Sequence, residues 1–224
     1  MSSGARAAAA IARKDIVSQA RKRFEVFSMF LFALISVLAF SFAVAGQVEA
    51  DTASALVWVI IFLTGMFGFA PVFISEAETG TLRGLSVAPV PSWSVYIGKV
   101  VYGFVIMGIV EVFLIPICMA MLNFSFTADP TFVLFTFAIG TLDLAAVGAM
   151  ASALTMPAES KSTVYPLVYF PTATSALILL VEITRILVSG PGLIPVALLL
   201  QFLVAHLLAM TSLSGAVFHF TLTG

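Results

Sequence analysis

Long apolar runs alternate with short polar breaks along this chain, and the runs have the length of membrane spans. Six can be drawn, over residues 26–45, 53–74, 94–122, 131–155, 164–188 and 193–218. Each meets or exceeds the roughly 20 residues that an α-helix needs to cross a bilayer. Leu, Ile, Val, Phe and Ala fill the runs continuously, whereas strands of a membrane barrel alternate apolar and polar side chains over about 10 positions. The pattern predicts an all-α polytopic membrane protein with six transmembrane helices. Composition agrees: 61% of the 224 residues are apolar and 9% are charged. No segment reads as a soluble domain. The chain is therefore one membrane domain, with a polar arm over 1–25, a bundle over 26–218 and a polar loop over 75–93.

Charge supplies an orientation. Arg6, Arg13, Lys14, Arg21, Lys22 and Arg23 precede the first run, Arg83 and Lys99 flank the loop between the second and third, and Lys161 lies in the next break on that side. Arg185 alone falls on the other side. Basic residues stay cytoplasmic in short loops. Both termini are thus expected in the cytoplasm of a multi-pass protein of the inner (plasma) membrane. The breaks at Glu49 and Asp51, at Asp129, and at Gly190-Pro191-Gly192 then face outward. The first run ends in Ala43-Val44-Ala45, a small-residue pattern like a signal-peptide cleavage site, but it is longer than the roughly 7 to 15 residues of a signal h-region. A retained span is expected. In the arm, Ile16, Val17, Ala20 and Phe24 fall on one helical face, opposite Lys14, Ser18, Arg21, Lys22 and Glu25. That predicts an interfacial helix on the cytoplasmic leaflet, with a plain basic topogenic tail as the equal alternative.

The break after the second run carries the most specific polar pattern. Ser75 and Glu78 have capping-box spacing, and Leu82 and Leu85, beside Arg83, form an apolar i, i+3 pair suited to a partner's groove. A short surface helix follows, one on which a soluble motor can push. An ordinary capped loop fits the same residues. Gly98-Lys99 does not make a nucleotide-binding loop, because Trp93 and Val100 stand where glycine and Ser or Thr are required. The chain has no nucleotide site of its own by this reading and is not expected to be an enzyme.

The order Glu76-x-Glu78-x-Gly80-Thr81-Leu82, then Pro89-x-Pro91-Ser92, then Gly98-Lys99 resembles the type-2 ABC exporter permeases. More closely, it is similar to the CcmB haem-exporter family of cytochrome c maturation. Trp58, Gly140-Thr141-Leu142, Ala145-Ala146-Val147-Gly148, Lys161, and Tyr165-Pro166 through Pro171 extend the likeness over residues 10–190. Asp143 departs from the pattern, where an uncharged residue is expected, and the last span matches in hydrophobicity alone. The resemblance implies a permease that pairs with a second copy of itself and with the CcmA ATPase, and that engages CcmC, CcmD and CcmE. ATP hydrolysis by the partner is then linked to haem export or to release of haem-loaded chaperone. ATP is used through the partner, haem is cargo or sits on a partner, and no metal is implied. Ser75, Glu76, Glu78, Gly80, Thr81, Leu82, Arg83 and Leu85 become the ATPase-coupling element. Two alternatives stay open: a type-2 permease for a drug, lipid or polysaccharide, and a non-transporting membrane scaffold for haem-handling proteins.

Within the spans, Glu111, Asp143 and His206 lie near mid-membrane, where an ionised side chain costs about 2.5 to 3.5 kcal/mol. They are expected to face the interior, be neutral, or pair. As a functional set they form a polar path or a contact for a haem-bearing partner, with His206 as a candidate axial ligand; as a structural set they are interhelical hydrogen bonds. Glu182 and Arg185, at i, i+3 spacing, predict an outer-face pair that orients the Gly190 turn toward an extracytoplasmic partner or simply finishes a helix. Gly140, Leu144, Gly148 and Ser152 form one mostly small stripe, and Ala145, Ala149 and Ala153 another, suited to a homodimer seam or to packing within the chain. Pro166 and Pro171 predict a kink in the fifth span. Cys118 reads as a packing residue, as do Met150, Met156 and Met210. No Asp/Asp or Ser/His pair is expected at a shared depth, which argues against an intramembrane enzyme.

Overall fold

The computed structural model describes residues 3–21, 23–44, 46, 48–69, 91–156, 158, 160–190 and 193–223. Among them are seven helices: α1 (Ser3–Arg21), α2 (Arg23–Val44), α3 (Ala50–Phe69), α4 (Ser92–Met121), α5 (Pro130–Leu154), α6 (Lys161–Ser189) and α7 (Leu193–Thr223). Helices α2 to α7 are the six apolar helices long enough to span a membrane. They match the six runs to within a few residues where both ends are described. The coupling residues Ser75, Glu76, Glu78, Gly80, Thr81, Leu82, Arg83 and Leu85 lie outside the described residues, as do Pro89, Pro191 and Gly192.

Helices α3 and α5 form the centre. In each, 61% of the most apolar stretch is buried inside the chain, against 17% for α2 and 11% for α7 at the edges. Small residues on α5 allow this. A Cβ on Gly148 would stand 2.5 Å from the Phe69 ring, and one on Gly140 would stand 2.6 Å from both Trp58 and Leu180. Ala145, Ala149, Ala153, Leu144 and Ser152 are buried as well. Both stripes are therefore consumed by packing within the chain, not left as a seam for a second copy.

Aromatic side chains fill the space that the small residues leave. Trp58 is fully buried, stacks on Phe137 with centroids 4.9 Å apart, and donates its indole N–H to Thr184 Oγ1 at 2.6 Å. Tyr169 stacks on Phe62 at 5.0 Å and on Tyr165 at 5.5 Å. Cys118 is buried and free, Met150 is buried, and Met156 is buried within the apolar core. Pro166 and Pro171 lie inside α6, and Pro116 inside α4, with helix assigned continuously through all three. Asp129 caps α5 by accepting the Thr131 N–H at 2.8 Å, with Pro130 at the first turn. Hydrogen bonds from the Thr131 side chain and backbone hold its carboxyl below the usual range. At the same end of the bundle α6 stops at Gly190, beside Thr127, with a φ of +83° that is left-handed.

Helix α1 differs from the expected amphipathic arm in extent and in face. It begins at Ser3 and packs along the start of α4. Ala8, Ala12 and Gln19 are buried, and Ile11 and Ile16 pack against the core, whereas Val17 and Phe24 are 46% and 82% exposed. Phe24 belongs to α2. Its neighbour explains the rotation. Gly98 brings the backbones so close that a Cβ there would meet Ala8 O and Ile11 Cβ at 2.9 Å, so the absence of a side chain on α4 lets the Ala8 and Ile11 face of α1 dock at this crossing. Lys99 then draws Asp15 inward, which a hydrophobic face drawn from sequence would assign to water.

Candidate functional site

Four polar sites lie along the bundle, each built by residues from different helices. The deepest joins α5, α6 and α7. Asp143 is fully buried; its Oδ2 and Oδ1 are 2.8 and 3.1 Å from His206 Nδ1. His206 Nε2 lies 2.9 Å from Ser175 Oγ. In the neutral ring, Nδ1–H donates to Asp143 and Nε2 accepts the Ser175 hydroxyl; in the charged ring both nitrogens donate. The paired arrangement is the low-cost solution expected for Asp143 and His206, and it places Ser175 beside them.

A serine and a histidine thus do meet at one depth, contrary to the sequence expectation. The connectivity is that of a serine hydrolase triad. The backbone is wrong for that chemistry. Ser175 sits in the interior of α6, where each N–H is engaged by the carbonyl four residues earlier, so its own N–H is not spare to hold an oxyanion. What the geometry provides is a hydrogen-bonded clamp of α7 onto α5 and α6.

Glu111 forms the second site. It is 4% exposed, and its Oε1 has no hydrogen-bond partner among the described residues. Thr141 Oγ1 lies 2.6 Å from Glu111 Oε2 and 2.7 Å from Phe137 O. One hydroxyl proton serves one acceptor. A carboxylic acid at Glu111 satisfies both contacts, by donating to Thr141 while Thr141 donates to Phe137 O. The hydroxyls of Tyr165 and Tyr169 are also buried without partners among the described residues.

The third site is at the α1 end. Lys99 Nζ lies 2.9 Å from Asp15 Oδ2, with the two side chains 3% and 12% exposed. Sequence reading took Lys99 as a loop-flanking charge and did not single out Asp15. The signal was present: Asp15 is the one acidic residue in α1. At the opposite end, Arg185 Nε donates to Glu182 Oε2 at 2.8 Å, and Asp51 Oδ1 lies 3.8 Å away at the start of α3. The expected pair is present and reaches a second helix. Beside it the α4–α5 connection is tied to the end of α6, through Thr127 N and Ala128 N donating to Leu187 O at 3.0 and 3.2 Å. Among the described residues no three His, Cys, Asp or Glu side chains converge as a metal site.

Six apolar helices that carry buried polar groups in contacts between helices define, among the described residues, a polytopic all-α membrane protein. Residues 6–221 match the CcmB protein family, essentially the whole chain. The chain belongs to that family, the membrane permease component of haem export in cytochrome c maturation. Comparison with individually curated proteins returned no match.

Proposed function

We propose that the chain is the permease subunit of an ATP-driven complex in which a CcmA-like ATPase grips the loop between α3 and α4. Hydrolysis on that partner is coupled to haem export or to release of a haem-loaded chaperone, with CcmC-, CcmD- and CcmE-like proteins as further partners and a second copy of this chain completing the permease. The observation that carries the reading is the family match over residues 6–221. The pattern from Ser75 to Leu85 adds the surface on which an ATPase would act, through Glu76, Glu78, Gly80, Thr81, Leu82, Arg83 and Leu85. Both termini and this loop face the cytoplasm of the inner membrane, following the basic residues. Haem is cargo or is held by a partner, and ATP is bound by the ATPase alone.

Asp143, His206 and Glu111 serve this function as fixed interhelical contacts. His206 is disfavoured as a haem ligand because both ring nitrogens already have partners. Glu182 and Arg185, with Asp51, shape the outer face toward the haem-handling proteins. The test is co-expression of the tagged permease with the ATPase in a strain lacking both. Retention of the ATPase on the permease and restored cytochrome c assembly are expected. Cytochrome c assembly without ATPase association would favour the scaffold reading, and absence of both would favour a permease for another cargo.

A further inference from the structure

We infer that the outer face of α1 is a binding surface for anionic phospholipid headgroups, held toward the membrane by the Asp15–Lys99 contact. The inference rests on α2 to α7 being membrane spans and is independent of any ATPase.

Depth comes first. Helix α4 has 30 residues and so is about 45 Å long, against about 30 Å for the hydrocarbon core. Phe30 meets Phe113 with ring centroids 5.7 Å apart, and Ser41 Oγ donates to Met121 O at 2.8 Å. Helix α2 therefore runs beside the later part of α4, and the first turns of α4 extend past its start. Helix α1 packs on that extension, where a Cβ on Gly4 would stand 3.1 Å from Ser94 Oγ, where Ala8 and Ile11 close on Gly98, and where Asp15 pairs with Lys99. A helix there sits at headgroup level.

Charge and shape follow. The one acidic side chain of α1 is only 12% exposed, with Oδ2 2.9 Å from Lys99 Nζ and Oδ1 3.1 Å from Lys14 Nζ, so the arginines carry the cationic charge of the outward stripe. Arg6, Ala10, Arg13, Val17 and Arg21 recur at intervals of three and four and are all exposed, with Lys14 alongside. Val17, at 46% exposure, places an apolar side chain between Arg13 and Arg21. An open crease of about 580 Å³ runs along Arg13, Lys14, Val17, Ser18 and Arg21. Guanidinium groups suit the bidentate geometry of a phosphodiester, and an apolar stud between them suits the glycerol and upper acyl region. A free tail would present the same charges without a fixed direction. The Gly98 crossing and the Asp15–Lys99 pair hold α1 as a rod with this face outward.

Full-length protein in detergent is titrated with phosphatidylglycerol or phosphatidylcholine, and bound lipid is read by native mass spectrometry. Wild type should retain phosphatidylglycerol in preference. R13Q/R21Q should weaken that retention by about fivefold for each charge removed and leave phosphatidylcholine unchanged. R13K/R21K, which keeps the charge, should retain most of it. Both positions are exposed, so the fold is not at stake. Equal phosphatidylglycerol retention by wild type and R13Q/R21Q would overturn the inference. So would displacement of the lipid by equimolar inorganic phosphate, which would mark the face as a site for a soluble anion.

Discussion

Lys99 of α4 reaches 2.9 Å from Asp15 of α1, two helices that are separated in the chain by α2 and α3. Both side chains are nearly closed to solvent, and Asp15 Oδ1 also lies 3.1 Å from the more exposed Lys14 Nζ. Removing one partner of a buried pair costs more than removing both, because a single uncompensated charge remains. K99M should therefore destabilise by about 3 kcal/mol, the low end for such pairs since Asp15 keeps some exposure and its contact with Lys14. D15L/K99M should recover most of that loss. Thermal unfolding in detergent, with protease release of α1 as a second readout, checks the order of the three proteins; equal loss in single and double variants would refute the pairing.

Asp143 and His206 should couple in the same way. H206A leaves a fully buried carboxyl without its main partner and should cost about 2 kcal/mol or more. D143N keeps the shape and one acceptor toward His206 Nδ1, so it should assemble near-normal amounts of protein and of cytochrome c. A severe assembly defect of D143N at normal protein level would assign the carboxylate a charge-dependent role instead of a structural one.

Close helix crossings predict a contrast among glycines. G148A places a methyl group 2.5 Å from the Phe69 ring and should cost about 1 to 3 kcal/mol. G108A meets nothing within 4 Å, and the better helix propensity of alanine makes it neutral or slightly stabilising. Unfolding midpoints of the two variants measured side by side should differ in that sense.

The indole of Trp58 offers a further check. W58F keeps the stack on Phe137 but removes the N–H donated to Thr184, leaving a buried hydroxyl short of a donor. A loss of about 1 to 2 kcal/mol is expected, and W58F/T184V should be milder than W58F alone. Unfolding midpoints of the two proteins decide it.

The sequence carried the spans clearly because apolar length is a local property: every helix from α2 to α7 announces itself within its own residues. Sites made by tertiary contact were less visible. Asp143 and His206 are 63 positions apart, and Ser175 is 31 from His206, so each reads alone as a costly polar residue, and only the three-helix junction shows them as one clamp. The small stripes of α5 carried no mark of which neighbour they meet until Phe69, Trp58 and Leu180 were found against them. Asp15 was hidden by the same logic that found the arm, since a hydrophobic-face argument sends charges to water. Gly98-Lys99, notable in sequence for resembling and then failing a nucleotide motif, turns out to be the dock for α1.

The loop between α3 and α4 carries the central claim, that this bundle is driven by an ATPase held there. The direct measurement is recovery of the ATPase on tagged permease from membranes expressing E76A/L82D, alongside the amount of inserted permease. The account predicts wild-type insertion with loss of most co-purifying ATPase and of cytochrome c assembly. Undiminished ATPase recovery with normal cytochrome c assembly in that variant would contradict it.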